Sequence, residues 1–178
     1  MSTSIPICYT DVMTQQTVTS LDIFGDEYEV PITELTWRPS AYGIVIDNDR
    51  VLLVKVGNGY HMPGGGIDLG EMPEAAVIRE VKEESGIEVA NTQLIASLST
   101  FFTMSHRIKK DGKAHVQALH LYYACDMISG ELSTDHMMQD EKRYGLTPEW
   151  VPLKHLDNLV VGSTVDWRSI VKQALKNK

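Results

Sequence analysis

Five charged residues at fixed intervals are where chemistry could take place: Glu71, Arg79, Glu80, Glu83 and Glu84, with the glycine run Gly64, Gly65 and Gly66 just upstream. Glu80, Glu83 and Glu84 stand at i, i+3 and i+4, so on a helix they share one face within a turn. Three carboxylates so placed repel one another, and a hard divalent cation relieves that repulsion by taking their oxygens as ligands. An oxygen-only donor set suits Mg²⁺ or Mn²⁺ better than Zn²⁺, which prefers sulfur and imidazole. The bland alternative is a solvated acidic helix face with Arg79 and Lys82 supplying ion pairs. The neighbouring Pro63-Gly64-Gly65-Gly66 run argues against it. Glycines let backbone carbonyls and amides come close to a metal or a phosphate.

The elements that must position these residues follow from periodicity and punctuation. Pro73 suits a first helical position, Glu74 suits the positive end of the dipole, and Gly86 suits a C-cap. A helix over 73–85 is predicted, with Val77 and Val81 turned to the core. Residues 41–46 and 51–56 are β-rich and flank the turn-forming Asp47-Asn48-Asp49-Arg50, a hairpin signal. A turn at 57–59 and a short strand at 60–62 lead into Pro63. Residues 94–102 and 115–126 are two long strands joined by a loop with Asp111-Gly112 at its tip, and 150–153 is a short later strand. The last helix is expected from a capping box, Ser163 and Asp166, followed by an apolar stripe of Trp167, Ile170, Val171 and Ala174. This order describes an α+β protein, an αβα sandwich with a central mixed β-sheet.

Upstream, the runs at 18–24 and 28–32 around Gly25-Asp26 form a candidate hairpin. Trp37-Arg38-Pro39-Ser40 is the expected junction, since Pro39 disfavours helix just before it. The organisation is therefore a β-containing N-terminal extension, residues 1–40, and a main domain, residues 41–178.

The chain has 178 residues and a net charge of −8, with 43% hydrophobic and 22% charged residues. That balance is ordinary for a soluble globular protein. The acidic excess repels nucleic-acid backbones, so a DNA- or RNA-binding scaffold is not expected. A metal-loaded carboxylate cluster still attracts a small phosphorylated ligand. No apolar run reaches the length of a membrane span and the first sixteen residues do not resemble a signal peptide, so a cytoplasmic location and no membrane partner are expected. Cys8 and Cys125 lie far apart in no paired motif and are read as reduced, Cys125 in a buried strand. The six histidines, at 61, 106, 115, 120, 136 and 155, lack the i,i+4 spacing of a zinc site.

Residues 65–87 run Gly65, five residues, Glu71, seven residues, Arg79-Glu80-Val81, one residue, Glu83-Glu84, one residue, Gly86-Ile87. This string resembles the signature of the Nudix hydrolase family, with every constrained position filled, and the resemblance extends from residue 42 to residue 159. It implies a Nudix-type sandwich and a metal-dependent hydrolase of a phosphoanhydride bond in a nucleotide-like small molecule. By the same resemblance, the Gly65 carbonyl and Glu84 are direct metal ligands, and Glu80 and Glu83 are ligands directly or through water. Gly64, Gly65 and Gly66 form the loop that meets metal and phosphate. Arg79 orients the carboxylates by a salt bridge, most simply to Glu83, and Glu71 holds the loop's shape or touches a second metal. The general base stays open among Glu80, Glu83 and a loop acid.

Two departures are Met72 at the helix N-cap, where Ser or Thr would accept a backbone hydrogen bond, and Asp68 where relatives often carry Glu. Asp140, Glu141 and Glu149 are candidate extra acids, each read first as a surface charge. Lys109, Lys110 and Lys113 could meet phosphates but are read as a solvated loop tip, and Tyr42, Tyr122 and Tyr123 as core aromatics before base platforms. Subgroups acting on ADP-ribose carry a proline about 15 residues past the signature, and those acting on dinucleoside polyphosphates a tyrosine. Positions 101–105 read Phe-Phe-Thr-Met-Ser, with neither. The extra coenzyme A motif is missing too. By elimination the expected activity is a nucleoside triphosphate pyrophosphohydrolase, including one that removes damaged nucleotides. The alternatives are an ADP-ribose or nucleotide-sugar pyrophosphatase, a nucleotide-sensing module without turnover, and a metal-assisted isomerase. A monomer or a homodimer is expected.

Overall fold

The structure, a computed structural model, describes residues 16–22, 25–104, 114–137, 142 and 145–177. Cys8, Phe24, His106, Lys109, Lys110, Asp111, Gly112, Lys113, Asp140 and Glu141 lie outside the described residues. By contact density the chain forms two compact units, residues 1–37 with 101–117, and residues 38–100 with 118–178. The long strands β7 (Glu88–Thr103) and β8 (His115–Ser129) supply residues to both.

The first unit is built on the expected hairpin. β1 (Thr17–Leu21) and β2 (Glu27–Pro31) pair antiparallel from Thr17↔Pro31 to Leu21↔Glu27. β1 meets β7 in parallel at Leu21↔Phe102. The buried Ser20 hydroxyl shares a 2.8 Å hydrogen bond with Thr103, whose hydroxyl lies 2.9 Å from His115 Nδ1.

In the second unit, β3 (Thr36–Asp47) and β4 (Arg50–Val56) are joined through Asn48 and Asp49. Both turn residues have positive φ, 47° and 58°. That is the tight two-residue turn whose twist matches the strands it joins. β8 neighbours β3, β4 carries β5 (Gly59–His61) and β9 (Thr147–Pro152), and β6 (Gly64–Gly66) pairs with β3. β3 begins five residues earlier than expected. The junction stretch is strand, because Pro39, which has no N–H to donate, still accepts the Ile67 amide at 3.1 Å through its carbonyl.

Strand alternation divides the core into two faces. Ala41, Val45, Leu52, Tyr123 and Cys125 pack with Val77, Val81 and Ile87 around helix α1 (Pro73–Ser85). Ile44, Val51, Leu53 and Tyr122 pack with Trp167, Ile170, Val171 and Ala174 around helix α2 (Arg168–Lys176). Helices on both faces of a mixed sheet make the α+β sandwich that the element order predicted. α1 has the expected bounds, with Met72 at an N-cap that makes no side-chain bond and Gly86 as a left-handed C-cap, φ 77°. The stripe on α2 is core, but the capping box is not formed. Ser163 Oγ donates to the Val165 carbonyl at 2.8 Å, so the hydroxyl is spent in a local turn. The helix starts after Trp167, where Asp166 Oδ1 accepts the Arg168 amide. Among the described residues no helix is long and apolar enough to cross a membrane.

The seat of α1 on the sheet is Gly43, where a Cβ would collide with the Val81 side chain and stand 3.3 Å from Val77. Gly43→Ala is expected to cost ~1–3 kcal/mol by overpacking, read as a lower urea midpoint at unchanged m-value. An unchanged midpoint would mean the helix is not held that close.

Candidate active site

The glycine run is a strand of three residues clipped to β3, with Ser40↔Gly66, Ala41↔Gly65 and Tyr42↔Gly64 in register. Each glycine is needed for a different approach. At Gly64, φ is 152° and a Cβ would stand 2.6 Å from Tyr42 Cα. At Gly65 a Cβ would lie 2.6 and 2.9 Å from the two carboxylate oxygens of Glu80, and at Gly66 it would lie 3.2 Å from the Arg38 guanidinium. The loop thus lies between the Glu80 carboxylate on its α1 side and the ring of Tyr42 with Arg38 on the other.

α1 carries its glutamates to this loop. Glu80 and Glu84 are buried, at 7% and 4% exposure, and Glu84 Oε2 accepts the Gly64 amide at 2.9 Å. Buried carboxylates persist only when paired or hydrogen-bonded. Arg79 supplies much of that pairing. Its Nε and Nη2 donate to the two oxygens of Glu71 at 2.8 and 2.9 Å, its Nη1 to Glu80 at 2.9 Å and Glu83 at 3.1 Å, and its Nη2 also to the Gly66 carbonyl at 3.1 Å. A guanidinium has five N–H donors, and Arg79 has five acceptors.

The main partner of Arg79 is therefore Glu71, bound in a fork, and the bond to Glu83 that helical spacing suggests is one of three carboxylate contacts. Glu71 also accepts the Asp68 amide at 3.1 Å, closing the turn whose other bond runs from the Glu71 amide to the Asp68 carbonyl. The Arg79 guanidinium, and after it the Asp68 amide, hold the Glu71 carboxyl down at about 2. The same contacts raise Arg79 above its already high value, Glu71 contributing most.

Glu149 sits on β9, accepting the Tyr60 hydroxyl at 2.9 Å with Lys55 Nζ 3.9 Å away. His61 places Nδ1 2.8 Å from the Met62 carbonyl, and burial lowers its pKa. Cys125 is buried, and burial pushes its thiol up to about 12. Tyr42 and Tyr122 stack with ring centroids 5.2 Å apart, and Tyr122 is 3% exposed, so this pair is spent on packing. His120 lies 5.5 Å from Tyr42, centroid to centroid, with Nε2 2.7 Å from Thr100 Oγ1. Burial, and then the charge of Arg38, push His120 down to about 4. Arg38 and His120 were not singled out from sequence. The alternation Arg38, Ser40, Tyr42 along a strand that reaches the loop is the signal that would have found Arg38.

Glu80 meets the backbone of Gly65, Glu84 accepts the Gly64 amide, and Glu83 stands on the same helix beside them, so the acidic groups here are oxygen donors only. Such donors suit a hard divalent cation, and the space that a Cβ at Gly65 would fill is where backbone and carboxylate meet. As the side chains stand, Arg79 takes an oxygen of Glu80 and of Glu83 and Gly64 takes one of Glu84. Among the described residues no three acidic or imidazole groups are gathered at ligating distance.

Residues 36–169 match the family model described as the NUDIX domain. The chain is 29% identical over 128 residues to an ADP-ribose pyrophosphatase of Methanocaldococcus jannaschii, covering 64% of this chain and 70% of that protein. It is 39% identical over 77 residues to an RNA pyrophosphohydrolase of Acinetobacter baylyi, spanning 40% of this chain and 46% of that protein. It is 36% identical over 73 residues to the 8-oxo-dGTP diphosphatase of Escherichia coli, 37% of this chain and 57% of that protein. The chain thus spans about half the length of the latter two. Among solved structures, a mutator MutT protein from Bacillus halodurans superposes with a TM-score of 0.60 at 24% identity, over 78% of this chain and 82% of that one. That likeness is one of fold.

Two acid transitions follow from these environments. His120 is held neutral, so the unfolded chain takes up a proton that the fold refuses. Stability should fall as pH drops from 6.5 to about 4, by at most about 3 kcal/mol. Glu71 acts in the same direction at lower pH: its stabilisation is complete above about 4.5 and disappears as pH approaches 2. Urea midpoints against pH should flatten in the upper window for His120→Asn and in the lower one for Glu71→Gln. Parallel wild-type and variant curves would contradict the assignment.

Proposed function

Since the chain belongs to the Nudix hydrolase family, its NUDIX domain filling residues 36–169, we propose that it hydrolyses a phosphoanhydride bond in a nucleoside diphosphate-linked small molecule, and does so with Mg²⁺ or Mn²⁺. The observation that carries this reading is the meeting of buried Glu80 and Glu84 with the backbone of Gly64 and Gly65, braced by Arg79 and Glu71. In it, Glu84 and the Gly65 carbonyl hold the ion, with Glu80 and Glu83 ligating directly or through water. Bound there, the ion would neutralise diphosphate charge and acidify a water.

The chain's own groups do the rest. A carboxylate, Glu80, Glu83 or a loop acid, takes the proton of the attacking water as its oxygen bonds to phosphorus. The anhydride P–O bond breaks, and the leaving phosphate or pyrophosphate keeps the electron pair. Arg79, with every donor engaged, keeps Glu80 and Glu83 oriented and has none to spare for substrate. Glu71 fixes Arg79. All the signature glutamates are present, which favours turnover over a sensing module.

The substrate class we infer first is a nucleoside triphosphate, cleaved to a monophosphate and pyrophosphate. It is supported by the missing proline and tyrosine markers at 101–105 and by the similarity to the Escherichia coli diphosphatase. A second reading, ADP-ribose or a nucleotide sugar, is favoured by the archaeal relative, whose match covers the larger share of both chains. Nucleic acid is not proposed, given the net charge of −8.

A panel of dGTP, 8-oxo-dGTP, the common nucleoside triphosphates, ADP-ribose and a triphosphate-ended RNA oligomer, with and without Mg²⁺ or Mn²⁺, tests the reading. Metal-dependent release of a nucleoside monophosphate is expected, with pyrophosphate from triphosphates or ribose 5-phosphate from ADP-ribose. No release from any member would sink it. Glu84→Gln should lower kcat at least ~100-fold with the thermal midpoint within a few degrees of wild type, and retained turnover would remove Glu84 from the ligand set.

A further inference from the structure

Two guanidinium groups meet the glycine loop at Gly66, and they are used in opposite ways. Arg79 has all five donors taken, one by the Gly66 carbonyl. Arg38 lies on the other side of the same residue, 3.2 Å from where a Gly66 Cβ would be, and its side chain is exposed. Among the described residues the Arg38 guanidinium makes no hydrogen bond and no ion pair. Its neighbours are the loop glycine, Tyr42 and His120. An arginine with no carboxylate partner among the described residues is unusual in a chain with 24 acidic and 16 basic residues.

The local structure keeps the group available. Gly66 has no side chain to cover it, and Tyr42 is stacked on Tyr122 and occupied. Thr100 lies 2.7 Å from Nε2 of His120, while Nδ1 of that ring, 5% exposed as a residue, has no partner. Histidine held neutral beside Arg38 adds no second cation, so among the described residues that meet this side of the loop the positive charge is the guanidinium's. Its planar fork suits phosphate oxygens, which it can bind through two parallel N–H bonds.

We propose that Arg38 is the phosphate-binding residue of this chain, a positioning residue that takes an oxygen pair of the substrate's phosphate chain as it crosses Gly66. The proposal rests on the hydrolase reading for the identity of the substrate. It concerns ground-state binding, so its signature lies in KM and in equilibrium affinity.

The test compares wild type with Arg38→Gln, Arg38→Lys and Arg50→Gln. Arg50 lies at the β3–β4 turn, paired with Asp47 and over the ring of Trp150, so its loss matches the charge change away from the loop. Kinetics use the best substrate of the panel, and ADP binding is titrated separately by calorimetry in Ca²⁺. A charge-assisted hydrogen bond of ~1.5–3 kcal/mol is about a tenfold to hundredfold change in affinity. Arg38→Gln should raise KM and the ADP dissociation constant by that factor while kcat stays within about threefold. Arg38→Lys should recover part of the loss, and Arg50→Gln should behave as wild type. Unchanged KM and ADP affinity in Arg38→Gln, a loss in kcat alone, or an equal loss in Arg50→Gln would each overturn the proposal. If wild type turns over no substrate the hydrolase reading fails by itself, and the ADP titration still decides Arg38.

Discussion

Everything in the site depends on one guanidinium. Two buried glutamates on a helix would repel one another and lose their hydration, and a third stands one turn away. Arg79 answers that with a single rigid fork that reaches three different stretches of chain. It holds the turn through Glu71, the loop through the Gly66 carbonyl and the helix through Glu80 and Glu83. Lysine could match the charge but not the geometry, since its ammonium is a point with three donors. Because the same group neutralises and aligns, charge and position are not separable properties of this centre.

The second constraint is closeness, and it is met by leaving side chains out. Gly43 lets α1 settle against β3, Gly64 lets Tyr42 cross the loop, and Gly65 brings backbone to the Glu80 carboxylate. An added methyl at any of the three would meet another group at less than van der Waals distance. The carboxylate-bearing helix and the loop are thereby held to one another without any flexible intermediary.

Much of this was legible in the sequence, and what was not shares a physical cause. α1 could be read from end to end because proline, periodic valines and a terminal glycine all act within one or two turns. The common face of Glu80, Glu83 and Glu84 follows from the same spacing. The Asn48-Asp49 turn and the stripe on α2 are equally local. The Glu71–Arg79 fork crosses from a turn to a helix and leaves no local spacing to read, whereas the family resemblance points Arg79 to Glu83. The capping box failed because Ser163 found a nearer acceptor in the Val165 carbonyl. Arg38 stands in the stretch read as a junction, and only the pairing of β3 with β6, some 26 residues away in sequence, brings it to Gly66. Contacts made by closing the sheet leave no periodicity to read.

The charges also explain why the signature residues define a bond and not a substrate. Glu71, Glu80, Glu83 and Glu84 against one Arg79 leave the centre strongly negative, and the protein as a whole is acidic. A polyphosphate entering that field is repelled unless cations meet it. A divalent ion in the proposed ligand set would meet the bond to be cut, and would do so alike for ADP-ribose, a triphosphate or an RNA end. These are the substrates named for proteins that this chain resembles. Discrimination among them must come from contacts beyond the reacting phosphates, made by side chains outside the signature. On the far side of Gly66, away from Glu80, the described group with an uncommitted charge is Arg38. A contact to the shared phosphate chain costs least there, because no described ion pair has to be broken to make it, and it adds affinity while discrimination is left to groups that meet the rest of the substrate.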